Sequence, residues 1–144
     1  MHLKQLSYVS RPLGYDPQQL DDILQTARGR NGALGITGML VSRWDLFAQI
    51  LEGPAEAVDA VFASIRRDHR HVQVTLRHEA PVAGRLFADW TMRHEPVPAW
   101  LWSHEQVLAG RHMTDYADAL LAAFRRLAAD SATPGAASAA AACA

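Results

Sequence analysis

Three polar side chains stand where the pattern of the chain calls for apolar ones. Gln49 lies in the run Leu46-Phe47-Ala48-Gln49-Ile50-Leu51-Glu52 and shares a strand face with Phe47 and Leu51. A buried amide without partners costs about 1–3 kcal/mol, so something polar is expected opposite it. Tyr8, in Leu6-Ser7-Tyr8-Val9-Ser10, can meet Gln49 if their strands are neighbours, because a phenol and an amide satisfy each other. A core tyrosine with one bonded hydroxyl is the simpler account of Tyr8. Asn31, in Gly29-Arg30-Asn31-Gly32, reads either as a helix terminator in left-handed conformation or as a rim amide of a gap shared with Gln49. Ile23 or Leu24, together with Ile65, are available as aliphatic walls for that gap. A flat heteroaromatic ligand with imide edges suits such a slot: apolar walls for the ring, amides for the rim. The cluster Arg66-Arg67-Asp68-His69-Arg70-His71 reads as a solvated helix end, or as groups holding a phosphate or ring carbonyl at the mouth.

Other chemistries find less support. His69 and His71 share a face if extended, but no third ligand has a supporting spacing, so no metal is expected. The chain contains no G-x-S-x-G elbow, Walker A loop or G-x-G-x-x-G. Asp21-Asp22 reads as the solvated face of a helix, and Trp100 and Trp102 as packing anchors. The single cysteine, Cys143, supports no disulfide framework, Cys-rich zinc site or catalytic thiol.

The elements that must position these groups follow from periodicity. A strand over 2–10 places Leu6, Tyr8 and Ser10 on one face. Asp16 and Pro17 start a helix with the stripe Leu20, Ile23, Leu24 and Ala27, ending near Gly29 to Gly32. Strands over 34–42 and 46–52 flank the connection Arg43-Trp44-Asp45, and Gly35 and Gly38 permit close backbone approach. Gly53-Pro54 opens a second helix with Val58, Val61, Phe62 and Ile65, followed by strands over 71–79 and 85–92. In the last of these, Trp90 and Met92 share a face. Thr114 is placed as the cap of a final helix carrying Tyr116, Leu120, Phe124 and Leu127. Residues 128–144, rich in Ala, read as a disordered tail. The order βαββαββ plus helix predicts an α+β, ferredoxin-like sheet with both helices on one face. Its first and third strands lie side by side at the centre. With 144 residues, 49% hydrophobic and 20% charged, one domain is expected. The net charge of −1 offers no footprint for nucleic acid or anionic membrane. The apolar runs fall short of the ~20 residues of a membrane span, and no secretory leader is evident, so a cytoplasmic protein is expected.

At this point the residues resemble a known family, the BLUF domain, a blue-light sensor that binds flavin. The matching stretches are Leu6-Ser7-Tyr8-Val9-Ser10, Arg30-Asn31-Gly32, Gly35-Ile36-Thr37-Gly38-Met39-Leu40, Phe47-Ala48-Gln49-Ile50-Leu51-Glu52-Gly53, Ile65-Arg66-Arg67-Asp68-His69-Arg70-His71 and Arg85 through Phe87-Ala88-Asp89-Trp90-Thr91-Met92. The resemblance implies a flavin-binding domain over 1–95, a helical cap over 96–127 and the tail over 128–144. It implies Tyr8 as electron and proton donor, and Gln49 as the bridge between Tyr8 and the flavin N5/O4 edge. Asn31 would hold the carbonyl and imide edge. Trp90 and Met92 would exchange places or register near Gln49 in light. Asp68, Arg70 and His71 match the polar groups that approach the flavin, and Ile23, Leu24 and Ile65 its walls. Two positions depart from common family patterns: Arg30, where a small polar residue, His or Asn is frequent, and Ser64, where some members carry an arginine. The implied protein is no enzyme. It is a stand-alone sensor with noncovalent FAD, or FMN at the same ring site, that signals to a downstream protein or through a homo-oligomer. Two alternatives stay open on sequence. One is a small acylphosphatase-like hydrolase using Asn31 and an arginine. The other is an interaction domain without a ligand, in which Tyr8 and Gln49 only satisfy each other.

Overall fold

Asp16 and Pro17 begin the first helix of the computed structural model, which describes residues 2–132. The Asp16 side chain accepts from the Gln18 N–H, 3.0 Å away, and α1 runs Pro17–Leu34. It therefore continues past the Gly29–Gly32 stop expected from sequence. A glycine inside a helix costs only about 1 kcal/mol, which the buried face of Leu20, Leu24, Ala27 and Asn31 offsets. Gly35 ends the helix instead: its φ of 72° is the left-handed conformation a C-terminal stop requires.

The strands are β1 (Leu3–Pro12), β2 (Thr37–Arg43), β3 (Leu46–Pro54), β4 (His71–Val82) and β5 (Arg93–Pro96), with α2 (Ala55–Arg66) between β3 and β4. They form one sheet in the order β4-β1-β3-β2-β5. The pair β1 and β3 is central and antiparallel, as the ferredoxin-like reading expects. On one face, Leu6, Tyr8, Leu40, Phe47 and Leu51 pack beneath Leu20 and Leu24 of α1 and Val58, Val61 and Phe62 of α2. On the other, Val9, Met39, Val41, Ala48 and Ile50 are covered by a helical cap. The cap comprises α3 (His104–Leu108), α4 (Arg111–Thr114) and α5 (Ala119–Ala132), which contribute Val107, Leu120 and Phe124, together with Trp102 just ahead of α3. Both sheet faces are buried, which explains why β2 and β3 are apolar on both sides. Among the described residues no helix is long and apolar enough to cross a membrane.

Three expectations are corrected. Residues 85–92 form no regular strand; β5 begins at Arg93 and pairs in parallel with β2. The segment is shaped by groups outside it. The buried Glu52 carboxyl accepts from the Leu86 and Phe87 N–H groups at 3.0 and 2.9 Å and from Gln5 Nε2 at 2.8 Å. Trp90 and Met92 consequently do not share a face: Met92 is buried at 2% exposure, Trp90 is 43% exposed. The last helix starts at Ala119, so Thr114 ends α4 rather than capping α5, and Tyr116 is 86% exposed rather than part of a packed stripe. That helix also runs to Ala132, so residues 128–132 are helical and not tail; the rest of the expected tail lies outside the described residues.

Glu52→Ala should cost about 2–4 kcal/mol, because it strands the buried Phe87 N–H, the part-buried Leu86 N–H and the Gln5 amide. Urea unfolding measures it; an unchanged midpoint would show that segment 85–92 does not depend on Glu52.

Candidate functional site

Antiparallel pairing of β1 and β3 sets Tyr8 directly opposite Gln49, and both point toward the helices. The Tyr8 hydroxyl donates to Gln49 Oε1. The other end of the amide, Nε2, donates to Met92 Sδ at 3.2 Å. A thioether is a weak acceptor and the amide nitrogen carries two hydrogens, so the donor end of a 5% exposed Gln49 is poorly satisfied within the chain.

Above this pair a slot opens between α1 and α2. Its floor is Tyr8, Leu40, Phe47, Gln49 and Met92. One wall is the α1 face Ile23, Leu24, Thr26, Ala27 and Arg30, and Ile65 of α2 stands on the other side. Asp68, Arg70 and His71 complete the lining.

The polar groups hold one another in fixed positions. Arg70 grips Asp68 through Nη2 at 2.5 Å, and its own backbone N–H reaches Asp68 Oδ1 at 2.9 Å. These bonds pull the Asp68 carboxyl below its ordinary range, against the opposing effect of burial. His71 bridges two elements: Nε2 lies 2.8 Å from the Ile65 carbonyl and Nδ1 2.7 Å from Ser10 Oγ. A carbonyl only accepts, so Nε2 carries the hydrogen. Burial pushes the Tyr8 phenol well above the usual tyrosine range, while the nearby Arg30 charge works the other way. Burial also lowers Arg30.

The structure thus gathers Tyr8, Ile23, Leu24, Gln49, Ile65, Asp68, Arg70, His71 and Met92 around one slot. Asn31 and Trp90 are not among its lining. Asn31 is fully buried in the last turn of α1 and its Nδ2 donates to the Thr91 carbonyl at 3.1 Å. It does not terminate the helix, which Gly35 does, and its second Nδ2 hydrogen and its Oδ1 are not used by this bond. Sequence reasoning missed Thr26, Ala27, Arg30, Leu40 and Phe47 as lining. The helical spacing from Ile23 to Ala27 and Arg30 would have found the wall, and Phe47 shares Gln49's strand face. Leu40 faces Gln49 across the β2–β3 register, which no local pattern reports.

Over residues 3–93 the chain matches the family described as "BLUF: Sensors of blue-light using FAD". It is 34% identical over 95 residues to the photoactivated adenylate cyclase subunit beta of Euglena gracilis, covering 64% of this chain and 11% of that protein. A beta-like protein FB of the same organism is 38% identical over 91 residues, 62% of this chain and 10% of that one. The chain therefore spans about a tenth of the length of these curated relatives. Among solved structures it resembles BlrB, a BLUF protein in its dark state, with a TM-score of 0.73 and 32% identity over 90% of this chain and 97% of that one. It also resembles Klebsiella pneumoniae BlrP1 in a manganese and cyclic-diGMP complex, with a TM-score of 0.64 and 30% identity over 89% of this chain and 33% of that one.

Proposed function

This chain belongs to the BLUF family of flavin-based blue-light sensors, and from that premise we propose that the slot between α1 and α2 holds the ring of noncovalently bound FAD, with Tyr8 and Gln49 as the photoactive pair. The observation that carries the assignment of residues is the chain of contacts from the Tyr8 hydroxyl through the Gln49 amide to Met92 Sδ at the floor of an apolar slot. The donor set fits a flavin. Aliphatic walls face each other across the slot, and the incompletely satisfied Gln49 N–H group can donate to a ring nitrogen or carbonyl. The Arg30 guanidinium stands in the same lining.

Bound flavin supplies blue-light absorption and an excited state that takes up an electron. The protein supplies the rest. Burial keeps Tyr8 protonated, with its hydrogen aimed at Gln49 Oε1. Loss of an electron turns a phenol into a strong acid, so the proton moves along that bond. The amide, with one donor and one acceptor end, then turns over or tautomerises, and an electron and a proton return to Tyr8, so that only the hydrogen bonds have changed. A reversed Gln49 presents oxygen to Met92 Sδ, and the bond from Nε2 is lost. Residues 90–92 thereby lose their side-chain tie to the floor without any movement of β3, and that loss is the signal. We read the output as contact with a downstream protein or a second copy of the chain, in the cytoplasm.

FAD is the flavin named for the family, whereas one solved relative, BlrP1, is described with FMN. A hydrolase of the acylphosphatase type is not supported by the comparisons.

The test is the absorption spectrum of the purified protein before and after blue light: yellow, with a small reversible red shift. Acid or heat should then release the flavin intact, and its mass should be that of FAD. A protein that stays colourless after reconstitution would remove the proposal, and a flavin retained after denaturation would refute noncovalent binding.

A further inference from the structure

Successive carbonyls of segment 90–92 are each held by a donor from a different place. The Gly38 N–H of β2 reaches Trp90 O at 3.0 Å. Asn31 Nδ2 reaches Thr91 O at 3.1 Å, and Arg28 Nε reaches Met92 O at 3.1 Å. Arg28 and Asn31 are three residues apart on α1, so they present adjacent donors on one helical face. The next residue, Arg93, enters the β2–β5 ladder opposite Met39. Its guanidinium lies 5.3 Å from the ring centroid of the exposed Trp90.

We propose that Arg28 is a positioning residue for the light switch: by gripping the Met92 carbonyl, it holds the Met92 sulfur against Gln49 and keeps Trp90 outside in the dark. Turning Met92 away from Gln49 takes its carbonyl away from Arg28, so the bond is made only with the Met92 sulfur inside and the Trp90 ring outside, and it favours that arrangement. The donors from Gly38 and Asn31 belong to a strand and to a buried side chain. Arg28 is the charged donor of the set, on the solvent-facing part of α1, and its bond is charge-assisted and stronger than a neutral one. This inference rests on the assignment of Tyr8 and Gln49 as the photoactive pair. It concerns which residue of segment 90–92 stands beside them.

The experiment uses the full chain with methyl-13C methionine, the Met92 signal assigned through Met92→Leu. Relaxation dispersion of that methyl in the dark measures the displaced population. Arg28→Ala should raise it about three- to tenfold and change the dark recovery rate after illumination. Arg28→Gln restores an N–H donor at similar reach and should return most of the effect. Arg28 is exposed and alanine favours helix, so folding is retained. A Met92 signal unchanged in Arg28→Ala would overturn the proposal, as would an Arg28→Gln variant no closer to wild type than Arg28→Ala. Failure of the wild type to shift in blue light would instead count against the photoactive pair, since the dark methyl measurement does not depend on light.

Discussion

Replacing Gln49 by leucine should leave a yellow protein whose absorption no longer shifts to the red under blue light. Leucine matches the amide in size and keeps the floor of the slot filled, so flavin should still bind. It has no donor or acceptor to exchange, so nothing can reverse. Tyr8→Phe should reach the same spectroscopic result by a different route, because the electron and proton donor is gone while the ring that packs 5.5 Å from Phe62 remains. The Tyr8 substitution should cost about 0.5–1.5 kcal/mol of stability, the net worth of one hydrogen bond. It should also alter the alkaline limb of stability. Burial raises the folded Tyr8 pKa above the unfolded value, so its contribution is fully present below a pH of about 10 and is lost as pH rises toward the folded pKa. The free energy of unfolding measured across that range should fall less steeply in Tyr8→Phe. A normal red shift in flavin-loaded Gln49→Leu would sink the relay.

Gly38→Ala should destabilise the fold by at least about 3 kcal/mol, more than ordinary overpacking. An added Cβ would sit 2.0 Å from the Ile50 carbonyl oxygen and 3.1 Å from its carbonyl carbon. Those are backbone atoms of a central strand, next in sequence to Gln49, and no rotamer change relieves the clash. Either β2 moves away from β3 or the β3 backbone twists, and both disturb the floor of the slot. Gly29→Ala is the matched control. Nothing lies within 4 Å of its added Cβ, and in a helix alanine is better than glycine by about 1 kcal/mol. Thermal unfolding of the two variants should therefore move in opposite directions. Wild-type stability in Gly38→Ala would mean that the β2–β3 spacing differs from the one described.

Local chemistry carried the reading of the chain a long way. Asp16-Pro17 marks a helix start because the carboxylate caps an N–H and proline has none to lose. A two-residue period marks β1 and a short apolar run marks β3, and the right-handed crossover of a strand–helix–strand unit makes them neighbours. From there Tyr8 can meet Gln49, and the register that sets them opposite each other is a finding of the structure. The corrected details share a different origin. Glycines at 29 and 32 look like a stop, but the helix continues because its far face is buried, a fact that belongs to the packed structure. Residues 85–92 alternate like a strand, yet their N–H and C=O groups are taken by Glu52, Gly38, Asn31 and Arg28. A segment with no repeating hydrogen bonds of its own takes its shape from donors and acceptors distant in sequence. For that reason the sequence, through its family resemblance, implied only that Trp90 or Met92 comes near Gln49. Only the tertiary structure decided that Met92 stands beside Gln49 with Trp90 turned outward, and that Asn31 Nδ2 donates to the Thr91 carbonyl.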